Sequence, residues 1–166
     1  HAFDFKFTHS LPQNLITIKN VTSPNFPVDG INPSLASGTS AGKVLIHQPH
    51  SKTSTTGALQ KDITFLNINK EITCLAGGAI DPSSTREVLF IGSRTNLLAY
   101  GTFINIQTEE NTDKFDVEVS DGVNCLLFTK IHSIREPLIV AGGNCSITGF
   151  DLHATESFWT VTGDNV

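Results

Sequence analysis

Charge is scarce in this sequence, and so are several residue types. Charged residues make up 16% of the 166 positions, and the chain has no methionine, one tryptophan and one tyrosine. Because so little charge accompanies 39% hydrophobic residues, the composition argues against an intrinsically disordered chain. No stretch approaches about 18 consecutive apolar residues, so no membrane-spanning helix is expected. What remains is a folded domain with its own core, which a chain of this length supports.

Basic clusters and paired cysteines are also missing. The net charge is −5 and the chain has no cluster of Lys or Arg, which argues against a nucleic-acid partner. The three cysteines, Cys74, Cys125 and Cys145, are too sparse and odd in number for a disulfide framework, so a reducing, cytoplasmic compartment is expected. Glycosylation sequons at Asn20 and Asn144 keep a secreted alternative open.

The sequence does contain an internal repeat. Three segments share an apolar run that ends in a glycine, a short turn and a second apolar run; the glycines are Gly38, Gly92 and Gly142. They lie roughly 50 residues apart, and a glycine permits the tight turn that joins two strands of a hairpin. Aligned on these glycines without gaps, two sets of positions coincide: Val44 with Leu98 and Thr148, and Ile46 with Tyr100 and Phe150.

The flanks of the repeat match as well. Residues 72–75 align with 123–126, and residues 115–123 align with 158–166. The first of these matches places Cys74 on Cys125, and cysteines at such strand positions are expected to pack in the core. Trp159, in the last apolar run, is likewise expected to be a core residue.

Each unit therefore holds four short β runs rich in Val, Ile, Phe, Thr and Leu. The predicted strands are 15–20, 34–38, 42–47 and 63–68 in the first unit, 72–77, 88–93, 96–103 and 115–119 in the second, and 123–130, 137–142, 145–151 and 157–162 in the third. No stretch shows the sustained 3.6-residue period of a helix. Four strands per unit of about 40 to 55 residues predict an all-β fold, a β-propeller with about three four-stranded blades of a larger ring.

The whole chain, residues 1–166, is expected to be the N-terminal part of one propeller domain. The approximate blades are 9–70, 71–120 and 121–163. Residues 1–8 alternate aromatic and polar side chains and predict a spare strand that closes the ring, whereas the insertions 21–33 and 51–57 predict irregular loops. Because three blades cannot close a ring, and 164–166 is similar to the start of another unit, the natural protein is expected to continue.

Two overlapping motifs are similar to catalytic or phosphate-binding loops. Gly38–Gly42 fits G-x-S-x-G, the nucleophile elbow of α/β-hydrolases, with Ser40 in the serine position. The same residues followed by Lys43 are one residue short of a phosphate-binding loop. Both chemistries need a helix after the loop, whereas residues 43–47 predict a strand. Because the same slot is a turn in every unit, we expect a hairpin and no catalytic residue.

Two further features suggest a metal ion only weakly. His47 and His50 are two ligands, too few for a site, and no Cys or carboxylate lies nearby in sequence. Asp29–Asn32 is similar to the calcium loops of integrin-type propellers but lacks their alternating carboxylates. The sequence therefore predicts no metal, no cofactor and no small-molecule substrate.

Five stretches of the chain carry a resemblance to a known family. They are Ala41–His50, Arg94–Tyr100, Val119–Asn124, Gly142–Asp151 and Phe158–Val166. Together they resemble the N-terminal propeller of the Bardet–Biedl syndrome 2 family, over most of the chain from about residue 34 onward. The last stretch is the most specific, and the two inserted loops are not diagnostic.

This resemblance implies a seven-bladed ring and a function. Members of the family are subunits of the BBSome, a coat-like complex that moves membrane proteins into and out of cilia. The implied role is a non-enzymatic scaffold in the cytoplasm, at the cilium and ciliary membrane, and near the basal body. The implied partners are other BBSome subunits, notably subunits 7 and 9, and indirectly ciliary membrane cargo.

No catalytic, cofactor-binding or metal-binding residues carry over from this family, and the sequence does not define the partner-binding residues. Two alternatives stay open. The sequons and the Asp-Gly turn suggest an extracellular integrin-type adhesion propeller, and Ser40 suggests a hydrolase.

Overall fold

Three groups of four strands make up the computed structural model, which describes residues 14–19, 33–47, 63–79, 87–104 and 111–166. The strands are β1 (Asn14–Lys19), β2 (Pro33–Gly38), β3 (Lys43–His47), β4 (Ile63–Asn67), β5 (Ile72–Ala79), β6 (Glu87–Ser93), β7 (Asn96–Ile104), β8 (Asn111–Glu118), β9 (Cys125–Thr129), β10 (Leu138–Gly142), β11 (Ser146–Phe150) and β12 (Glu156–Val161). These bounds differ from the predicted ones by a few residues at most. The described residues contain no helix, and hence none long and apolar enough to span a bilayer.

Each group of four strands is an antiparallel meander in which consecutive strands are hydrogen-bonded neighbours. The meanders β1–β4, β5–β8 and β9–β12 are named blades 1, 2 and 3. Strand β5 contacts both β1 and β9, so the first strands of the three meanders lie side by side, as inner strands do around the axis of a propeller. The arrangement is the β-propeller that the repeat predicted.

The pairing register corrects the ungapped alignment of the repeats. Each of the three glycines lies opposite a residue of the next strand, and these three residues are the true equivalents of one another. Gly38 lies opposite Val44, Gly92 opposite Leu97, and Gly142 opposite Ile147. The alignment of Val44 with Leu98 and Thr148, and of Ile46 with Tyr100 and Phe150, is therefore wrong by one residue. Counted from the glycine to the first residue of the next strand, the first hairpin has four intervening residues, 39–42, whereas the other two have three, 93–95 and 143–145. Because side chains alternate between the faces of a strand, this slip exchanges the two faces of the sheet.

Two apolar cores lie between the blades. The core between blades 1 and 2 consists of Ala36, Val44, Ile46, Leu66, Ile72, Leu75, Leu89, Ile91, Leu98 and Tyr100. The core between blades 2 and 3 consists of Cys74, Val88, Phe90, Leu97, Ala99, Val119, Val123, Ile139, Ala141 and Phe150. Phe90 is fully buried, and its ring centroid lies 5.0 Å from that of Phe128. Burying one such side chain contributes about 1.5–3 kcal/mol, so packing between blades stabilises the array.

The same contact recurs after each of the three meanders. The N–H of Ile72 donates to the Thr39 carbonyl, that of Val123 to the Ser93 carbonyl, and that of Val166 to the Gly143 carbonyl. Each of these apolar side chains covers a glycine, and a Cβ added at Gly38 would lie 2.6 Å from Ile72. The predicted match of residues 72–75 with 123–126, and of 115–123 with 158–166, is confirmed by these shared contacts.

Several predicted features lie outside the described residues. They are the closing strand at 1–8, the sequon at Asn20, nearly all of the insertion 21–33 with Asp29–Asn32, the histidine His50 and the insertion 51–57. These features stay predictions.

Candidate interaction surface

The loop Gly38–Gly42 forms a hairpin turn between β2 and β3. The Thr39 N–H donates to the Lys43 carbonyl at 2.9 Å, and the Gly42 N–H donates to the Thr39 carbonyl at 3.1 Å. Gly42 has a φ of 79°, which favours glycine. Because β3 follows the turn directly, Ser40 does not stand at the start of a helix, and the geometry of a nucleophile elbow or a phosphate-binding loop is not formed. The predicted hairpin is confirmed.

Metal-ligand geometry does not occur in the part of the chain that the structure describes. Within it, no three His, Cys, Asp or Glu side chains come together as a set of ligands. His47 is the last residue of β3, and its sequence neighbour His50 lies outside the described residues. Exposed large apolar side chains are found on the faces and edges of the sheets.

The three cysteines are free thiols in different surroundings. Cys74 is buried opposite Gly92, and this burial raises the pKa of its thiol to about 11. Because a raised pKa disfavours the reactive thiolate, Cys74 acts as a packing residue. Cys125 lies at the matching position opposite Gly142 but is exposed, as is Cys145. The prediction of a core position for Cys125 is wrong because blade 3 covers Cys74, whereas no described strand covers Cys125.

A carboxylate fixes the junction between blades 2 and 3. Asp121 accepts hydrogen bonds from the Ser146 hydroxyl at 2.6 Å and from the Cys145 N–H at 2.8 Å. Both donors border the turn that joins β10 to β11, and the Asn144 N–H donates to the Asp121 carbonyl at 3.1 Å. These bonds, that of Ser146 foremost, hold the pKa of Asp121 below its ordinary value. The turn is therefore held by the charged carboxylate.

An ion pair occupies the corresponding junction between blades 1 and 2. Arg94 Nε lies 2.7 Å from Glu71 Oε2, and Arg94 Nη2 lies 3.3 Å from Glu71 Oε1. The hydrogen bond and charge of Arg94 lower the pKa of Glu71, and Glu71 raises that of Arg94. Because both groups are exposed, solvent screens their attraction, and the pair mainly orients the turn before β7.

One face of blade 3 is apolar and is left uncovered by the described strands. Leu127 is 59% exposed and lies opposite Val140, which is half-buried. Ile147 and Cys125, each opposite Gly142, belong to the same face. We refer to Cys125, Leu127, Val140 and Ile147 as the open face of blade 3. Exposed apolar side chains on one face are typical of contact sites.

Blade 1 has a face that the described strands leave uncovered, on the opposite side of the array. Phe65, in β4, is 62% exposed and lies opposite Leu45. Its neighbour Leu66 points the other way, into the core with blade 2. The described blades therefore end in two different apolar faces.

The outermost strand of blade 3 exposes two further large side chains. Trp159 is 57% exposed and Val161 is 61% exposed. The prediction that Trp159 lies in the core is wrong, because β12 is the last strand of its sheet and neighbouring blades approach one another more closely at their inner strands.

Sequence reasoning located none of these surface residues. A usable signal was present in β9 and β10, whose sequences CLLFT and LIVAG are apolar on both faces. Strands of this kind are typical of sheets that are covered on both sides.

Comparisons with known proteins agree with this geometry. Residues 27–129 match the family described as ciliary BBSome complex subunit 2, N-terminal. The BBSome complex member BBS2 of Danio rerio is 40% identical over 171 residues, which cover 99% of this chain and 22% of that protein. The Homo sapiens member is 36% identical over 172 residues with the same coverage. The chain thus spans 22% of the length of these two relatives.

A solved structure shares the fold. This chain is similar to a chain in the crystal structure of BBS1N in complex with ARL6DN. The match covers 97% of this chain, with a TM-score of 0.58 and 12% sequence identity. The match takes in 42% of that structure's chain. At such low identity, the likeness shows the fold alone.

The chain is part of a β-propeller. This class follows from the three meanders, from the junction that recurs between them and from the fold shared with the BBS1N structure. The sequence match goes further, and the chain belongs to the family of ciliary BBSome complex subunit 2, N-terminal. The resemblance found in the sequence is confirmed. Members of this family are components of a complex, and the family is not known as one of enzymes. Membership in it does not favour the extracellular adhesion alternative.

Proposed function

We propose that this chain is the N-terminal part of a single β-propeller domain that serves as a non-enzymatic scaffold in the BBSome. The observation that carries the proposal is the match of residues 27–129 to the family of ciliary BBSome complex subunit 2. The ring would have seven blades, with residues 1–8 supplying the closing strand. The first three blades would be approximately 9–70, 71–120 and 121–163.

The proposed role is to hold together a coat-like complex that moves membrane proteins to and from cilia. The protein would act in the cytoplasm, at the ciliary membrane and near the basal body, in contact with ciliary membrane cargo only indirectly. Its direct partners would be other BBSome subunits, notably subunits 7 and 9.

Rigidity between the blades supports a scaffold role. Apolar cores join blade 2 to each of its two neighbours, and the Glu71–Arg94 pair and the Asp121 hydrogen bonds hold the junction turns. A surface that is already ordered binds partners without the cost of ordering loops and side chains on association. The described blades therefore offer preorganised faces and edges.

The open face of blade 3 supports continuation of the ring. Val166 covers Gly142 in the way that Ile72 covers Gly38, so the chain would enter another unit by the contact that begins blade 2. A following blade would bury Leu127 and leave outer strands and turns for partner subunits.

The test is affinity capture of the tagged full-length protein from ciliated cells, with mass spectrometry of the bound proteins. We expect recovery of the other BBSome subunits, including 7 and 9, in near-equal amounts. Leu127→Lys, which places a charge where the next blade would pack, should reduce that recovery. The matched control is Ser133→Lys, at an exposed position of the same blade, which should preserve it.

Capture of cell-surface or secreted proteins in place of BBSome subunits would overturn the proposal and support the adhesion alternative. Equal recovery with Leu127→Lys and the unaltered protein would contradict the placement of a further blade on this face.

A further inference from the structure

The outermost strand of blade 3, β12, has an open edge. The Thr162 N–H donates to the Cys145 carbonyl at 2.8 Å, in the direction of β11. Because backbone groups alternate in direction along a strand, the N–H and C=O groups of Trp159 and Val161 point away from β11. No strand of the described ranges pairs with that edge. It therefore presents the row of donors and acceptors that an added strand uses.

The corresponding edge of blade 2 is protected by charge. In β8, the residues whose backbone groups point outward are Asp116 and Glu118, and both side chains are exposed. The equivalent residues of β12 are Trp159 and Val161, because the two strands are followed by matching hydrogen bonds to their hairpin partners. Charged residues and prolines on an edge discourage pairing with another chain. Strand β12 contains no proline and only one charged residue, Glu156.

Two apolar side chains of β12 lie beside this edge. Trp159 lies opposite Thr148 and Val161 lies opposite Ser146, so both side chains are on one face of the sheet. A strand laid along β12 would place alternate side chains beside the indole and the valine, where cross-strand apolar pairs stabilise a sheet. The edge thus offers main-chain pairing together with selectivity for alternating apolar residues.

The charge around the edge selects the occupant. The stretch 151–166, which contains β12 and the turns that flank it, has three acidic residues and no Lys or Arg; they are Asp151, Glu156 and Asp164. Glu156 begins β12 and Asp164 follows its end, and both are exposed. Opposite charges on neighbouring strands stabilise pairing, whereas like charges destabilise it. A basic strand is therefore favoured on this edge, and pairing with the same acidic edge of a second copy is disfavoured.

We propose that the free edge of β12 is a strand-addition site for an extended, basic segment of a partner protein. Main-chain hydrogen bonds to Trp159 and Val161 hold the segment, alternate apolar residues pack on these two side chains, and Lys or Arg residues at its ends face Glu156 and Asp164. The inference rests on the proposed function only in taking the partner to be a protein.

The test is a fluorescence titration of the full-length protein with a short labelled peptide of alternating Val and Lys. Two matched probes accompany it: the peptide with Glu in place of Lys, and the Val–Lys peptide with alternate backbone amides N-methylated. We expect the basic peptide to bind, and each matched probe to bind at least about tenfold more weakly. Because salt screens charges, binding of the basic peptide should weaken at higher ionic strength.

The variant that tests the edge is Val161→Pro. Proline removes an outward N–H without breaking the β11–β12 ladder, and edge strands tolerate it. The matched control is Glu118→Pro, the equivalent position of β8. We expect Val161→Pro to weaken peptide binding by about tenfold or more, and Glu118→Pro by less than about twofold.

Equal binding of the acidic peptide or of the N-methylated peptide would overturn the inference, as would unchanged binding by a folded Val161→Pro variant. Self-association of the full-length protein that Val161→Pro abolishes would also overturn it, by identifying a second copy as the occupant. The N-methylated probe uses the unaltered protein, so its result stands even where a variant fails to fold. Failure to capture BBSome subunits from cells would leave the titration unaffected.

Discussion

Single residues decide how closely the blades approach one another. Gly38, Gly92 and Gly142 each lie beneath an apolar residue that follows their own meander, namely Ile72, Val123 and Val166. A Cβ at Gly92 would meet the Cys74 sulfur and would lie 2.7 Å from Val123. The glycine therefore allows the inner strands of blades 2 and 3 to lie at their present separation.

Gly92→Ala should destabilise the packing of blade 2 on blade 3 by about 1–3 kcal/mol, because the added methyl group overpacks a filled core. Hydrogen exchange of the β6 amides, measured by mass spectrometry on the full-length protein, should become faster. Adding Cys74→Ala makes room for the methyl group, so the two substitutions should be coupled by at least about 0.5 kcal/mol. Additive effects, or an unchanged exchange rate in Gly92→Ala, would contradict this account of the glycine.

Turns between strands carry the polar contacts that fix the junctions between blades. Where blades 1 and 2 join, Glu71 and Arg94 pair side chain to side chain, and where blades 2 and 3 join, Asp121 binds the turn before β11. The same place in the repeat is thus fixed by two different chemistries. Both act locally, whereas burial of apolar side chains holds the sheets together.

Asp121→Asn should loosen the turn between β10 and β11. Since the pKa of Asp121 lies below its ordinary value of 3.8, the contribution of its carboxylate to stability is present above that pH and is lost as the pH falls through the lowered pKa. The unaltered protein should therefore lose protection of the Cys145 amide on acidification below 3.8. The Asn variant should be less protected at neutral pH and should show no such step.

Hydrogen exchange across a pH series measures this difference. The matched control is Glu71→Gln, which alters the junction between blades 1 and 2 and should leave the Cys145 amide as protected as in the unaltered protein. A comparable loss of protection in the control would show that the effect is not specific to Asp121.

Across the whole molecule, the described blades end in two unlike apolar faces. Blade 3 presents Leu127 with Val140 and Ile147, and blade 1 presents Phe65 on the opposite side of the array. Contact between two different faces is heterologous, so copies of the chain that meet in this way add on head to tail. Within a closed ring, the neighbouring blades would cover both faces.

Residues 1–166, prepared by themselves, should consequently self-associate. Multi-angle light scattering should give a mass that rises with protein concentration, and Leu127→Lys should lower that mass because it places a charge in the apolar contact. Ser133→Lys is the matched control and should associate like the unaltered chain. A sharp monomer peak at high concentration would contradict the prediction.

The strands and hairpins could be predicted because their signals are local. Alternating apolar residues and turn glycines at Gly38, Gly92 and Gly142 mark each strand pair within a short stretch of chain, and the structure places the strands within a few residues of the predicted bounds. The register across the first hairpin could not be predicted by ungapped alignment. One additional turn residue, ending at Gly42, changes which residues face the next blade.

The sequence by itself determined the repeat, the all-β fold and the family, since each depends on residue order along the chain. Only the tertiary structure decided which apolar residues are buried. Cys74 and Cys125 occupy the same repeat position, yet one is buried and the other exposed, and Trp159 is exposed in the outermost strand. The physical reason is that burial depends on what packs over a strand, and the covering blade or edge comes from residues distant in sequence.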